Sequence, residues 1–276
     1  MKHLVLGIIQ GLTEFLPVSS SGHLVLFTKL FNLETDLFFD ALVHIATAIA
    51  VIIFFWKDIV LLLRGFFAGA IETIKTKNFM QVYNDSIYFK LSCLIVTGTF
   101  ATGVIGLSFQ DYFEGWFDSL LAVGCFFILT GTLILLAEKF GTGVKKEGQF
   151  TRMDALVIGA AQGAAIAPGL SRSGTTISLA LLRDLDRGLA ARFSFLLSLP
   201  AILGATLIQM KNLFEEGLYD LPYFSYALGF IAALVTGYFA IKIFINMIQK
   251  TSIRVFAWYC FFIGAVTLIL SRVLAP

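Results

Sequence analysis

Charge is what this chain has least of. Only 14% of its 276 residues are Asp, Glu, Lys or Arg, while 58% are hydrophobic, well beyond the roughly half-apolar balance of soluble domains. That excludes a soluble protein. Apolar runs of about 20 residues, the length that crosses a hydrocarbon core of about 30 Å, recur from end to end, so no soluble domain is left over. The formal net charge is +2 and no dense basic tract exists, which excludes a nucleic-acid partner. Cysteine is equally scarce: Cys93, Cys125 and Cys260 stand singly in apolar segments, without the spacing of a disulfide framework or a metal site. The opening apolar run is interrupted by Gln10 and Glu14 and followed by no small-residue cleavage site, so no removable leader is expected.

What is present reads as an all-α polytopic membrane protein. Six segments have the length and character of full crossings: about 36–56, 86–108, 116–137, 189–209, 222–244 and 252–274. Trp56, Trp116 and Trp258 fall near segment ends, where interfacial anchors sit. Lys57, Arg64, Lys75, Lys77 and Lys90 follow the first crossing, and Lys139, Lys145, Lys146 and Arg152 follow the third; both connections are expected in the cytoplasm. The intervening connection, 110–115, carries Asp111 and Glu114, and 212–222 carries Glu215, Glu216 and Asp220, so both belong outside, with both termini. A seventh apolar stretch, 58–74, would put the two basic loops on opposite faces if it crossed. It is therefore expected to lie along the interface as an amphipathic helix.

The chain also repeats itself. "QGLTEFLPVSSSGH" at 10–23 returns as "QGAAIAPGLSRSGT" at 162–175, a displacement of 152 residues without a gap. Gln10 pairs with Gln162, Gly11 with Gly163, Ser19 with Ser171, Ser21 with Ser173 and Gly22 with Gly174. Three crossings separate the copies, so the second enters from the opposite face. The expected fold is an inverted-topology repeat in one membrane domain, 1–276: a first half at 1–137, a cytoplasmic connection at 138–152 and a second half at 153–276. Each copy is a Pro/Gly/Ser break between two arms too short to cross, about 4–15 and 22–31, then 153–166 and 174–183. Irregular backbone at membrane depth is tolerated only inside protein or along a wet cavity. Both copies are accordingly expected to be re-entrant helical hairpins meeting near the midplane, where paired broken segments mark a polar site.

Glu14 and Arg172 are ionisable groups in apolar elements, each costing about 2.5–3.5 kcal/mol or more unless paired. Ser19, Ser20 and Ser21 precede one short helix; Ser171, Arg172 and Ser173 precede the other. Hydroxyls and first-turn amides converging from two helix starts make an anion site, and an arginine fork suits phosphate oxygens. A carboxylate beside a phosphate must hold a metal, take a proton or pair with the arginine. Gln10 lies one turn before Glu14 and can complete a metal shell or orient a water; His23 can exchange a proton with a phosphate oxygen or a hydroxyl. Small polar residues at a membrane helix break can also serve close packing alone, but a second copy with ionisable groups added favours a site that hydrolyses a phosphate ester or anhydride. Asp40 and His44 share a face of the first crossing, where a structural hydrogen bond is expected. His3 is expected at the interface, and Arg183, Arg187 and Arg192 on a cytoplasmic rim.

At these residues the sequence resembles the undecaprenyl-diphosphate phosphatase family of bacterial membranes, the bacitracin-resistance proteins. Two motifs carry the resemblance, an (E/Q)xxxE pattern running into PVSSSGH at 10–23 and PGxSRSGxT at 168–176; it extends through "FSFLLSLPAILGA" at 193–205. The resemblance implies hydrolysis of a C55 prenyl diphosphate to the monophosphate and inorganic phosphate, recycling the lipid carrier of cell-wall synthesis. It also implies a divalent cation, Mg²⁺ or Ca²⁺, a site open to the outer face, and a place in the bacterial inner membrane. Carried onto this chain, Glu14 is the essential carboxylate, Ser20 the nucleophile and His23 its acid/base partner. Arg172 with Ser171, Ser173, Gly174 and Thr176 would clamp the diphosphate, Ser19 and Ser21 would bind it from the first hairpin, and Glu14 with Gln10 would hold the metal. Gln10 stands where many members have Glu, which weakens any two-carboxylate mechanism. The implied partners are the prenyl diphosphate lipid and surrounding membrane lipids, with a homodimer left open. The rival reading is a phosphorylated-lipid flippase built on the same inverted repeat.

Overall fold

The computed structural model describes residues 1–31, 37–216 and 222–273, and among them there is helix and no strand. The first half runs α1 (Lys2–Phe15), α2 (Ser20–Phe31), α3 (Leu37–Phe54), α4 (Trp56–Thr76), α5 (Phe79–Asp85), α6 (Ile87–Ser108), α7 (Gln110–Glu114) and α8 (Leu120–Phe140). The second runs α9 (Arg152–Ala164), α10 (Arg172–Leu182), α11 (Arg187–Glu216), α12 (Tyr223–Ile248) and α13 (Arg254–Val273). Side-chain caps start several of them, the hydroxyls of Ser86, Ser119, Thr151 and Ser171 each accepting a first-turn N–H.

Among the described residues five helices are long and apolar enough to cross a membrane: Ile87–Ser108, Leu120–Phe140, Arg187–Gln209, Tyr223–Ile248 and Arg254–Val273. They coincide with five of the six expected crossings, and the protein is a multi-pass membrane protein. The remaining expected crossing falls on α3, which meets α4 at a bend of 80°. The stretch 58–74 therefore turns sharply away from α3. Leu62 and Gly69 of α4 are buried, and Leu63, Phe67 and Ile71 are left exposed. The first residue of the expected 36–56 crossing, residues 217–221 of the acidic 212–222 connection and the end of the last crossing at 274 lie outside the described residues.

None of α1, α2, α9 and α10 exceeds 14 residues, about 21 Å at 1.5 Å per residue and short of a hydrocarbon core. These arms are held by close backbone approach. Gly7 and Gly11 of α1 face Gly229, Ala233 and Gly237 of α12, and Gly159 and Gly163 of α9 face Gly98, Thr102 and Gly106 of α6. A Cβ at Gly7 or Gly159 would run into the facing backbone, so small residues on both partners are what allow the pairs to form. Residues 152 apart in the hairpins thus meet residues 131 apart in the crossings, and each hairpin leans on the other half's helix. Between them α8 and α13 pack along Gly124, Gly131 and Gly264.

A basic rim closes one end. Arg192 pairs with Asp58 and Glu147, Arg187 with Glu138, Arg183 and Lys145 with Asp154, and Lys146 with Asp186. Arg183, Arg187 and Arg192 therefore serve as ties between elements, in keeping with a rim and not a second phosphate site. His3 stands near the start of α1. It is buried, with Nδ1 2.6 Å from Ser225 Oγ and its ring between Phe39 and Tyr226, because the close α1–α12 packing draws the start of α1 inward.

Candidate active site

The fourfold spacing on α1 puts Gln10 and Glu14 on one face, and Gln10 Nε2 donates to Glu14 Oε2 at 3.0 Å. The helix ends at Phe15, Leu16 is extended, and Ser19 takes a left-handed backbone (φ 66°) before α2 begins at Ser20. That turn brings Ser20 Oγ back to donate to Glu14 Oε2 at 2.5 Å. Arg172, the first residue of α10, donates Nη2 to Glu14 Oε1. Glu14 is only 7% exposed, so its charge survives burial because arginine, serine and glutamine all point at it. Residues 158 positions apart thus form one centre, and a further bond from Ser173 Oγ to the Leu16 carbonyl (3.1 Å) sews the two breaks together.

The two breaks share scaffolding and differ in chemistry. Ser19 Oγ accepts from Gly22 N–H at 3.2 Å and lies 3.3 Å from Ser21 Oγ; Ser171 Oγ accepts from Gly174 N–H at 3.1 Å and lies 3.3 Å from Ser173 Oγ. At the chemically distinctive positions the repeat diverges. Glu14 corresponds to Ile166, Ser20 to Arg172 and His23 to Thr175. The first copy keeps acid, hydroxyl and imidazole, and the second supplies only the cation.

Several residues expected to clamp the ligand are already engaged. Thr176 is fully buried, donates to the Arg172 carbonyl at 2.8 Å and lies 2.5 Å from Ser194 Oγ; it ties α10 to α11, since its place one turn into α10 turns it away from the break. Ser19, Ser171 and Gly174 are occupied in capping. Left over for a ligand are Arg172 Nη1 and Gln10 Oε1, both buried and without a hydrogen-bond partner, together with those first-turn amides of α2 and α10 that Ser19 and Ser171 do not cap.

His23, expected as the proton partner of Ser20, is turned elsewhere. Its Nδ1 lies 2.7 Å from the Ser19 carbonyl and its Nε2 2.6 Å from the hydroxyl of Tyr259 on α13. Tyr259 carries no motif and sits 236 residues from its partner, so no local pattern announces it. His44 lies on α3, one turn after Asp40. Its Nδ1 bonds the Asp40 carbonyl at 2.7 Å, so the expected contact between these two runs through the backbone oxygen. Concavities of about 590 and 480 Å³ open at the basic rim and touch none of these residues. In this conformation Arg172 itself fills the centre.

Among the described residues no group of three or more His, Cys, Asp or Glu could cage a metal ion. The Glu14 carboxylate with the orphaned Gln10 Oε1 beside it fits an ion of the Mg²⁺ type, which takes few protein ligands and completes its shell with water and substrate phosphate oxygens.

Comparison with known proteins places these residues in a wider group. The sequence model described as "Bacitracin resistance protein BacA" matches residues 3–266. An undecaprenyl-diphosphatase of Halothermothrix orenii is 42% identical over 278 residues, 99% of this chain and 98% of the relative. One of Methanosphaera stadtmanae is 40% identical over 275 residues, 99% of each, and one of Carboxydothermus hydrogenoformans is 42% identical over 271 residues, 97% of this chain and 96% of the relative.

Proposed function

Because the chain belongs to the bacitracin-resistance BacA family, we propose that it hydrolyses undecaprenyl diphosphate to undecaprenyl phosphate and inorganic phosphate. The observation that carries this reading is the meeting of Glu14, Ser20 and Arg172 from two separate helix breaks. A flippase needs a passage for a head group. It does not need a buried carboxylate in hydrogen-bond contact with a serine hydroxyl.

The diphosphate enters between the breaks with its prenyl tail in lipid. Arg172 transfers from Glu14 to the phosphate oxygens, using the Nη1 that has no partner in the resting state, and the first-turn amides of α2 and α10 add donors. Glu14, freed of the guanidinium, takes the Ser20 proton along the existing 2.5 Å bond. Ser20 Oγ bonds to the terminal phosphorus, the bridging P–O bond breaks, and the lipid monophosphate leaves with the electron pair. Water then attacks the phosphoserine, the Ser20 Oγ–P bond breaks, Oγ recovers its proton from Glu14, and inorganic phosphate leaves with the hydrogens of the water. Proton removal falls to Glu14 because both His23 nitrogens are engaged away from Ser20. A Mg²⁺ or Ca²⁺ ion held by Glu14 and Gln10 Oε1 would supply neutralisation of the diphosphate charge.

The same reading sets 1–137 and 153–276 as inverted halves joined by 138–152, with both termini and the site's opening outside the bacterial plasma membrane. Purified protein in detergent, given undecaprenyl diphosphate, should release one phosphate per lipid, and a chelator should suppress it. A flippase would release none. Glu14→Gln should lower the rate by about 10²–10⁴, and a variant that kept most of its rate would overturn the role given to Glu14.

A further inference from the structure

His23 is held from both ends. Nδ1 faces the Ser19 carbonyl oxygen, which can only accept, so Nδ1 carries the hydrogen and Nε2 of the neutral ring is a bare acceptor. The Tyr259 hydroxyl, 2.6 Å away, therefore donates to Nε2. The tyrosine ring also stacks on the imidazole, with centroids 5.6 Å apart and planes 5° apart, and Phe127 meets the imidazole edge-on at 5.3 Å. This brace ends on an unusual piece of backbone. Ser19 has φ 66°, a conformation that side-chain-bearing residues rarely take, and its carbonyl accepts both the His23 imidazole and the His23 backbone N–H (3.2 Å). The next residue of α13, Cys260, donates to the Pro17 carbonyl at 3.4 Å, so α13 grips the break on both sides of Ser19.

The second hairpin is the built-in comparison. Ser171, the counterpart of Ser19, has an ordinary φ of −67°, and the counterpart of His23 is Thr175. The imidazole–tyrosine brace occurs only where the capping serine is strained and the following hydroxyl must reach a carboxylate.

We propose that Tyr259 is a positioning residue: by holding the His23 ring, as its Nδ1–H tautomer, against the Ser19 carbonyl it keeps Ser19 in the left-handed turn that sets Ser20 against Glu14. Its effect on rate rests on the phosphatase reading, whereas the tautomer does not.

Nitrogen NMR of full-length protein labelled at histidine tests both parts, with the His23 signals assigned by their loss in His23→Asn. The parent should show hydrogen on Nδ1 and a bare, hydrogen-bonded Nε2. Tyr259→Phe keeps the ring and removes only the donor. It should shift the His23 Nε2 signal to that of a nitrogen without a donor, weaken the Nδ1 bond to Ser19 as the ring loosens, and lower kcat about tenfold, the equivalent of one lost hydrogen bond, with KM and thermal stability nearly unchanged. A parent spectrum with the hydrogen on Nε2 would overturn the proposal even if the variant failed to fold. So would a Tyr259→Phe enzyme with undiminished kcat, or one slowed while its His23 spectrum stayed that of the parent. A parent that released no phosphate would instead sink the phosphatase reading and leave the tautomer result standing.

Discussion

Glu14 and Arg172 compensate one another in a poorly hydrated setting, with side chains 5% and 18% exposed. Removing one partner strands the other, which costs about 3–5 kcal/mol for a buried pair, whereas removing both leaves no unpaired charge. Arg172→Met should therefore destabilise the protein markedly, and Glu14→Gln combined with Arg172→Met should recover much of the loss. Thermal unfolding of the two single variants and the double variant in detergent reads the coupling, and simple additivity would contradict a shared pair. Activity should not return in the double variant, because the proposed hydrolysis uses both groups. At this scale the sequence was informative about which residues matter: Glu14, Ser20 and Arg172 stand out as polar groups in apolar surroundings. It was silent on their bonds. Thr176 shares a motif with Arg172 yet points to Ser194, and the His23 partner comes from α13, because side-chain direction depends on helix rotation as much as on position in a motif.

The short helices owe their placement to glycine. Gly159 lies against the Gly98 backbone and Gly7 against that of Gly229, and any side chain there must push two helices apart. Gly159→Val should cost at least the 1–3 kcal/mol typical of overpacking and displace α9, and with it α10 and Arg172, without altering a polar residue of the site. Gly148→Ala, with nothing within 4 Å of the added methyl, is the matched control and should unfold like the parent. Equal stability of Gly159→Val and Gly148→Ala would contradict this account of the packing. The crossings themselves were legible because length and hydropathy are local properties. The abrupt turn from α3 into α4 could be anticipated only indirectly, from the charges of the flanking loops.

Across the whole molecule, equivalent helices make equivalent contacts, α1 with α12 and α9 with α6, which supports the inverted insertion proposed above. Single cysteines read by a membrane-impermeant thiol reagent on intact cells test it. Asp111→Cys should label directly, and Gly148→Cys only after permeabilisation; labelling of both from one side would rule out the proposed orientation. The sequence by itself determined that this is a helical membrane protein, where its apolar helices run, that its polar break occurs twice, and to which family it belongs. Composition, periodicity and motif spacing are short-range and survive in a linear text. Only the tertiary structure decided that Arg172 closes on Glu14, that the Ser20 hydroxyl meets the carboxylate and not the imidazole, and that Tyr259 bonds His23. Those contacts span 158 and 236 residues, and they exist because glycine-lined helix pairs bring two distant breaks and a far crossing together, a consequence of packing that no local stretch encodes.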